Sequence, residues 1–395
     1  MFDRSRCTLL AFALLAGCSE SGPPESAETP AETSEPAAAA VSCLDRSPLR
    51  NAYFGELHVH TGLSMDAYAF GVRATPDDAY RFARGEPIEF TASRQVRLER
   101  SLDFAAVTDH ASYMGEMSLC MRADSPVYDS RRCRAYRREE EPEEGTLPMY
   151  AQLGALMPGW VSTAARSPEL CGEDFELCRS EMQTVWEASQ AATERADDPC
   201  RFTAFHGYEY TATPDLTKIH HNVVFRNANV PLRPVAWVDE PSAWGLWEKL
   251  AEHCLDAGID CDVLTIPHNS NMSSGRMFAL DYMSLPLERQ VELARLRARL
   301  EPLVEIMQTK GDSECRNDMW KVLGGRDEQC DFEKIRALAP APEDCRDGVS
   351  YGGLVRQGCL SRLDFVRYAL VEGLREAERI GVNPLKLGIT ASTDA

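Results

Sequence analysis

The sequence predicts an α/β barrel built on a parallel sheet of about seven strands. Three observations predict it. Apolar runs of strand length alternate with amphipathic helical patterns; about seven such runs occur; and His, Asp or Glu repeatedly follows the last apolar residue of a run. Alternating strands and helices imply a parallel sheet covered by helices. In a closed parallel barrel, the carboxyl ends of all strands reach one face.

The chain opens with Arg4 and Arg6 ahead of a short apolar run, Thr8 to Ala16, that ends in Leu15-Ala16-Gly17-Cys18. Such a run is well short of the ~20 residues a spanning helix needs, so it reads as the core of a secretory signal. The ending resembles a bacterial lipobox, which implies cleavage after residue 17 and a lipid anchor on Cys18. Ser19 in place of Asp resembles sorting to the outer membrane, on its periplasmic face or at the cell surface. Residues 19–40 hold no aromatic or large aliphatic side chain. A segment of that kind cannot bury enough surface to offset chain entropy, so 19–42 is expected to be a disordered tether. The folded domain is expected over 43–395.

Expected strands are Tyr53–Leu57, Asp103–Thr108, Phe202–Tyr208, Asn222–Phe225, Val263–Pro267, Leu303–Gln308 and Lys386–Ala391. Thr75-Pro76 has N-cap and first-turn chemistry for a helix that Gly85 closes. Further helices are expected near Ser180–Arg195, Ser242–Ala257, Leu287–Leu300 and Ser361–Ile380. The stretch from about 114 to 170 is polar and charged, and it reads as an irregular insertion or lid. Its opposed runs Arg131-Arg132 and Glu139–Glu144 read as solvated surface.

Composition narrows the function. Acidic residues number 62 against 42 basic ones, for a net charge of −20. That balance lacks the basic footprint needed to hold a phosphate backbone, so nucleic acid is excluded as a bulk partner. Of 14 cysteines, Cys7 and Cys18 fall in the leader. The other twelve are an even set in an exported chain and imply disulfides. Cys171 with Cys178 and Cys254 with Cys261 are near enough in sequence to pair; the remaining connectivity is open. No Cys-x-x-Cys pair, no Gly-rich phosphate loop ending in Lys-Ser or Lys-Thr, and no Gly-x-Ser-x-Gly elbow is present. Zinc ribbons, ATP-driven chemistry and serine hydrolysis are therefore disfavoured.

The chemistry concentrates at strand ends. His58-Val59-His60 follows the first run, Asp109-His110 the second, Glu209 the third, His268 the fifth and Asp394 the last. Alternate residues on an extended segment share a face, so His58 and His60 can serve one ion. Imidazole with carboxylate suits Zn²⁺, Mn²⁺ or Fe²⁺. A bridging carboxylate such as Glu209 or Asp394 can hold two cations, which lower the pKa of bound water and clamp attacking and leaving oxygens.

The motif Gly55-Glu56-Leu57-His58-Val59-His60-Thr61, with Ser64 and Asp66 after it, resembles the first motif of the polymerase and histidinol phosphatase (PHP) superfamily. Val107-Thr108-Asp109-His110 resembles the second and Gly207-Tyr208-Glu209 the metal-bridging glutamate. His220, Pro267-His268 and Ser392-Thr393-Asp394 are similar to later ones. FGELHVHTGLSMDA, IPHNSNMSSGRMF and MQTKGDSEC resemble more closely one branch of exported bacterial proteins of unknown function. The resemblance spans about 50–395. It implies a distorted (β/α)7-type barrel, two or three divalent metal ions, and phosphoester hydrolysis. Carried onto this chain, it makes His58, His60, His110, Glu209, His220, His268 and Asp394 the metal ligands, with Asp66 a weaker one. Ser64-Met65-Asp66 has one residue more than the usual Ser-Asp. The last motif, ordinarily Asp-x-His, stops at Asp394-Ala395, so the chain is expected to be truncated at its C-terminus.

The expected activity is hydrolysis, by metal-bound hydroxide, of a small anionic ester: a phosphoester, or a related sulfate or phosphonate ester. Asp109 would orient His110 or relay a proton, and His206, three residues before Glu209, would either pack in the core or contact substrate. Arg226, Arg276 and Lys310 would bind the anion, with Asn222 and Asn269 orienting ligands or substrate. Two other readings are amidohydrolase-type cleavage of C–N or lactone bonds, and a non-catalytic lipoprotein that binds metal or ligand. The amidohydrolase type usually bridges its metals through a strand-end lysine, a position Glu209 takes here.

Overall fold

The computed structural model describes Cys43, residues 47–91, 94–141, 146–157, 163–319, 325–336, Cys345 and residues 348–395. The leader, Cys18 and the tether fall outside the described residues. Every expected strand forms within a few residues of its span, apart from one that splits. β1 is Gly55–Val59. The helices α1 (Met65–Ala69) and α2 (Pro76–Ala83) follow. Thr75 caps α2 as expected, in a reciprocal capping box with Asp78. A hairpin of β2 (Ile88–Thr91) and β3 (Arg94–Val96) leads to β4 (Phe104–Val107). The insertion contributes α3 (Met114–Met121), α4 (Arg131–Tyr136), α5 (Pro148–Leu156) and α6 (Pro168–Cys171) before the long α7 (Glu176–Ala196). Then come β5 (Thr203–Ala212), β6 (Ile219–Phe225), α8 (Ala243–Leu250), β7 (Val263–His268) and α9 (Leu287–Leu300). The run expected at Leu303–Gln308 divides into β8 (Leu303–Glu305) and β9 (Met307–Gln308), and β9 pairs with β10 (Gly311–Asp312). The chain finishes with α10 (Val366–Ile380) and β11 (Gly388–Thr390).

The architecture is mixed α/β around a curled, half-barrel sheet in the order β1-β4-β5-β6-β7. The wholly parallel sheet expected from sequence is not what forms. β1, β4 and β5 are parallel, but β6 runs antiparallel to both β5 and β7. Only residues 213–218 separate β5 from β6. A parallel crossover needs roughly a dozen residues or more, so a link this short forces reversal. β11 pairs in parallel with β8, and β8 lies against β7.

Alternation along β5 divides the molecule. Tyr208 and Tyr210 project to the outer face and join Trp186, Trp247 and Phe278 in the main core beneath α7 and α8. Glu209 and Thr211 project to the concave face. Fully burying one of those aromatic side chains contributes roughly 1.5–3 kcal/mol, so this outer core holds the sheet in its curl. A second core forms within the insertion around Tyr136, Leu156 and Leu170. The insertion is therefore helical and packed, not irregular. Arg131 and Arg132 lie on its surface against Glu140 and Glu169, as expected of solvated charge; residues 142–145 of the acidic run lie outside the described residues.

All twelve cysteines beyond the leader pair: Cys43–Cys200, Cys120–Cys133, Cys171–Cys178, Cys254–Cys261, Cys315–Cys330 and Cys345–Cys359. Both pairings expected from proximity are present. Such bridges persist in oxidising compartments and mark the protein as extracellular or periplasmic. No helix among the described residues is long and apolar enough to cross a membrane.

Two stability predictions follow from this framework. Cys43–Cys200 ties residues 157 apart in sequence, so Cys200→Ser should lower unfolding free energy by about 2–5 kcal/mol, measured by denaturant titration. At Gly115, where α3 meets α7, an added Cβ would lie 2.1 Å from the Cys178 carbonyl oxygen. Gly115→Ala should therefore cost about 1–3 kcal/mol in the same assay.

Candidate metal centre

The centre is assembled on the concave face around Glu209, whose side chain is 1 % exposed. Oε2 of Glu209 lies 3.3 Å from His58 Nε2, 3.2 Å from His60 Nε2 and 3.7 Å from His268 Nε2. Oε1 lies 2.7 Å from His220 Nδ1 and 3.2 Å from His110 Nδ1. Asp394 Oδ1 faces His58 Nε2 at 3.4 Å and His60 Nε2 at 3.3 Å. Asp66 Oδ1 is 3.0 Å from His110 Nε2. All eight ligands implied by the sequence motifs thus meet in one place, Asp66 included despite its extra residue. The register explains His220. It starts the reversed β6, directly opposite Thr211 of β5 and His268 of β7, so it reaches the same end of the sheet as residues that finish parallel strands. His221, one residue on, points to the outer face and meets Glu301 at 3.0 Å.

The surrounding shell orients the rings. His58 Nδ1 bonds to the Glu305 carboxylate at 3.0 Å, and His60 Nδ1 to Ser64 Oγ at 2.8 Å. Each bond places the proton on Nδ1 and leaves the Nε2 lone pair aimed at the shared carboxylates. Ser64 Oγ donates to Asp109 at 2.6 Å, and Asp109 also accepts from Thr61 N–H and Thr61 Oγ. Asp109 therefore works behind His60, joining the loops after β1 and β4, and does not touch the centre as a catalytic group would. Glu56 accepts from Thr393 N–H at 3.0 Å and so holds the segment that carries Asp394.

Electrostatics separates the imidazoles. Burial favours the neutral form throughout, but Asp66 and Glu209 outweigh it at His110 and raise that ring to about 10. At His58, the charges of Glu305 and Glu209 likewise override burial and raise it. Burial prevails at His220, which falls to about 3, and at His268 and His60, where neighbouring imidazoles reinforce it. Burial would raise Glu209, yet the facing histidines hold it well below the usual carboxylate range. Neutral rings with buried, unpartnered nitrogens remain: His60 Nε2, His220 Nε2 and both nitrogens of His268. A buried polar atom without a partner costs ~1–3 kcal/mol, and lone pairs converging on carboxylates are what a divalent cation satisfies.

Among the described residues, three sets around Glu209 and Asp394 could hold an ion: His58, Glu209 and His268; His58, His60 and Asp394; His60, His110 and Glu209. The ligand atoms of each set lie within 4.8 Å of one another. Glu116, Cys171 and Cys178 also cluster, but those cysteines are joined to each other and offer no thiolate.

Several other expected residues lie elsewhere. His206 is on the outer face of β5, its Nε2 2.7 Å from Glu194 on α7, because it shares the parity of Tyr208. Arg226 follows the far end of β6 and pairs with Asp260 and Asp262; reversal of that strand carries it away from the centre. Arg276 is occupied by Asp215 and the Ser350 carbonyl. Asn222 is buried on the His220 face of β6, with its side-chain amide unpartnered and further along the strand from the centre. Lys310 does arrive, in contact with Asp394. Asn269 arrives behind it, accepting from Lys218 Nζ at 3.1 Å. His253 is half-exposed beside Glu252.

Lys218 and Glu305 were missed by sequence reasoning. Both carried a signal: a lysine two residues before His220, and a lone acid inside the apolar run Leu303–Gln308. Lys218 is buried, and burial lowers its pKa; burial and Lys218 together bring Lys310 down to about 8. Both lysines border a 290 Å³ cavity that opens onto Asp66, His110, Glu209 and His220.

If Glu305 acts by orienting His58, Glu305→Gln should weaken divalent-metal affinity about 10- to 100-fold. Glu209→Gln should abolish retention of metal through gel filtration, whereas His206→Ala should leave it at the wild-type level. Elemental analysis of the eluted protein measures all three.

No curated protein and no solved structure matches the chain. A family model does match, across residues 47–395. The chain therefore belongs to the family described as protein of unknown function (DUF3604).

Proposed function

We propose that this protein is a metal-dependent hydrolase of small anionic esters, with phosphoesters first and sulfate or phosphonate esters as related candidates. The observation that carries the reading is the sharing of one buried carboxylate, Glu209, among overlapping ligand sets beside two lysines at a cavity. The motif likeness to the PHP superfamily supports it. So does the course of the chain past β11, where Ala395 accepts from His60 N–H at 3.0 Å. With β8 and β11 completing the circle between β7 and β1, the sheet would be a distorted seven-stranded barrel.

The donor set suits two or three ions of zinc, manganese or iron. Bound there, they would supply Lewis acidity and an activated water nucleophile. The chain's own groups do the rest. His58, His60, His110, His220, His268, Glu209 and Asp394 hold the ions, with Asp66 at the mouth. Glu305, Ser64 and Asp109 keep the rings in the tautomer that ligates. Lys218 and Lys310 take up charge on the non-bridging oxygens, the work first ascribed to Arg226 and Arg276. The leader directs export, and Cys18 carries the lipid that holds the domain at the membrane.

The test is a screen of phosphate mono- and diesters, sulfate esters and phosphonate esters, with amides and lactones as a control panel, on metal-loaded protein. His58→Ala should lose at least 100-fold in kcat/KM on whichever ester is turned over. Lys218→Met should lose about 100-fold while retaining metal. Undiminished turnover in His58→Ala would remove the proposal.

A further inference from the structure

Much of the cavity lining is apolar. Phe70, Tyr150, Leu153, Met157, Trp237 and Met149 contribute to it. Four of these come from the insertion, on α5 and the residue just past its end. The sequence of α5, PMYAQLGAL, contains no charged side chain. Gln152, Ala155 and Leu156 face inward and are buried in the insertion. Met149, Tyr150, Leu153 and Met157, at i, i+1, i+4 and i+8, make a second apolar face toward the cavity. A surface helix ordinarily opposes its apolar stripe with polar residues; α5 does not.

At the mouth, Tyr150 is 58 % and Phe70 71 % exposed. Large apolar side chains clustered at the rim of a concave site mark a surface that a ligand covers. The wall is firmly held. Gln152 donates to the Tyr136 carbonyl at 2.6 Å and accepts from Arg138, whose other nitrogen reaches the Ala69 carbonyl at 2.6 Å. α5 is thereby fastened to α1, the helix that carries Asp66.

We infer that the substrate is amphiphilic: an anionic ester head at Lys218 and Lys310, carrying one apolar group, an aryl ring or short alkyl chain, seated against α5. The inference rests on the anionic-ester reading above and names the substrate class of that same site. Size agrees with it. An apolar cavity of ~150 Å³ accepts benzene, so 290 Å³ accommodates a tetrahedral head and one ring. Oligomeric or doubly substituted substrates would extend outside.

Titration calorimetry on the manganese-loaded full chain, with phenylphosphonate and methylphosphonate as non-hydrolysed probes, tests this directly. Phenylphosphonate should bind at least tenfold more tightly. Tyr150→Ala, a substitution at an exposed position, and Met149→Ala should each reduce that preference at least threefold and leave methylphosphonate affinity unchanged. Equal affinity for the two probes, or a preference that survives both substitutions, would overturn the apolar subsite while leaving the anion site intact. Failure of metal-loaded protein to bind either probe would overturn both.

Discussion

Glu209 is a carboxylate held almost wholly out of water in the middle of the protein, and five imidazoles from four separate segments close around it. Removing such a group from solvent costs several kcal/mol unless opposite charge and hydrogen bonds compensate it. Here the compensation comes from the facing histidines, above all His110, whose ring Asp66 and Glu209 raise to about 10. His60, His220 and His268 cannot also be charged in that space, so burial and mutual repulsion keep them neutral, with lone pairs turned inward. Charged donors and neutral lone pairs facing the same acids form an arrangement that one or more cations can complete.

That compensation needs exact ring orientation, and much of the nearby structure serves it. Glu305 on β8 reaches across to His58, while Asp109 reaches from the loop after β4 to Thr61 and Ser64, and through Ser64 to His60. Glu56 ties the first strand to the last loop. Apart from the local bond between Ser64 and His60, these bonds span sequence separations from tens to hundreds of residues. The centre is therefore a property of the curled sheet, and any strand slipping by one residue would turn its site residue to the outer face.

The candidate metal centre and the apolar wall of the cavity come from different parts of the chain. The ligands sit at strand ends or in the loops beside them, backed by the aromatic core under α7 and α8. The apolar wall comes chiefly from the insertion, which has its own small core and one internal disulfide, with Cys171–Cys178 and the tight passage at Gly115 seating it on α7. A scaffold of this kind can keep its centre while the insertion changes which group it accepts.

From sequence alone, most of the centre was legible. His58-Val59-His60, Asp109-His110, Glu209, His268 and Asp394 each follow a strand-length apolar run, and that local pattern survives folding because strand ends are set by nearby residues. Paired cysteines and the capped helix at Thr75 were readable for the same reason. Strand direction was not. Whether β6 runs with or against β5 depends on a short link and on which neighbour it meets, and that choice displaced Arg226 while bringing in Lys218. The choice left open at His206 between core packing and substrate contact was not decided by sequence, because period-two alternation tells which residues share a face but not which face turns inward. Glu305, the wall on α5 and the separation of charged from neutral imidazoles were decided by the tertiary structure, because each depends on groups that become neighbours only once the sheet has curled.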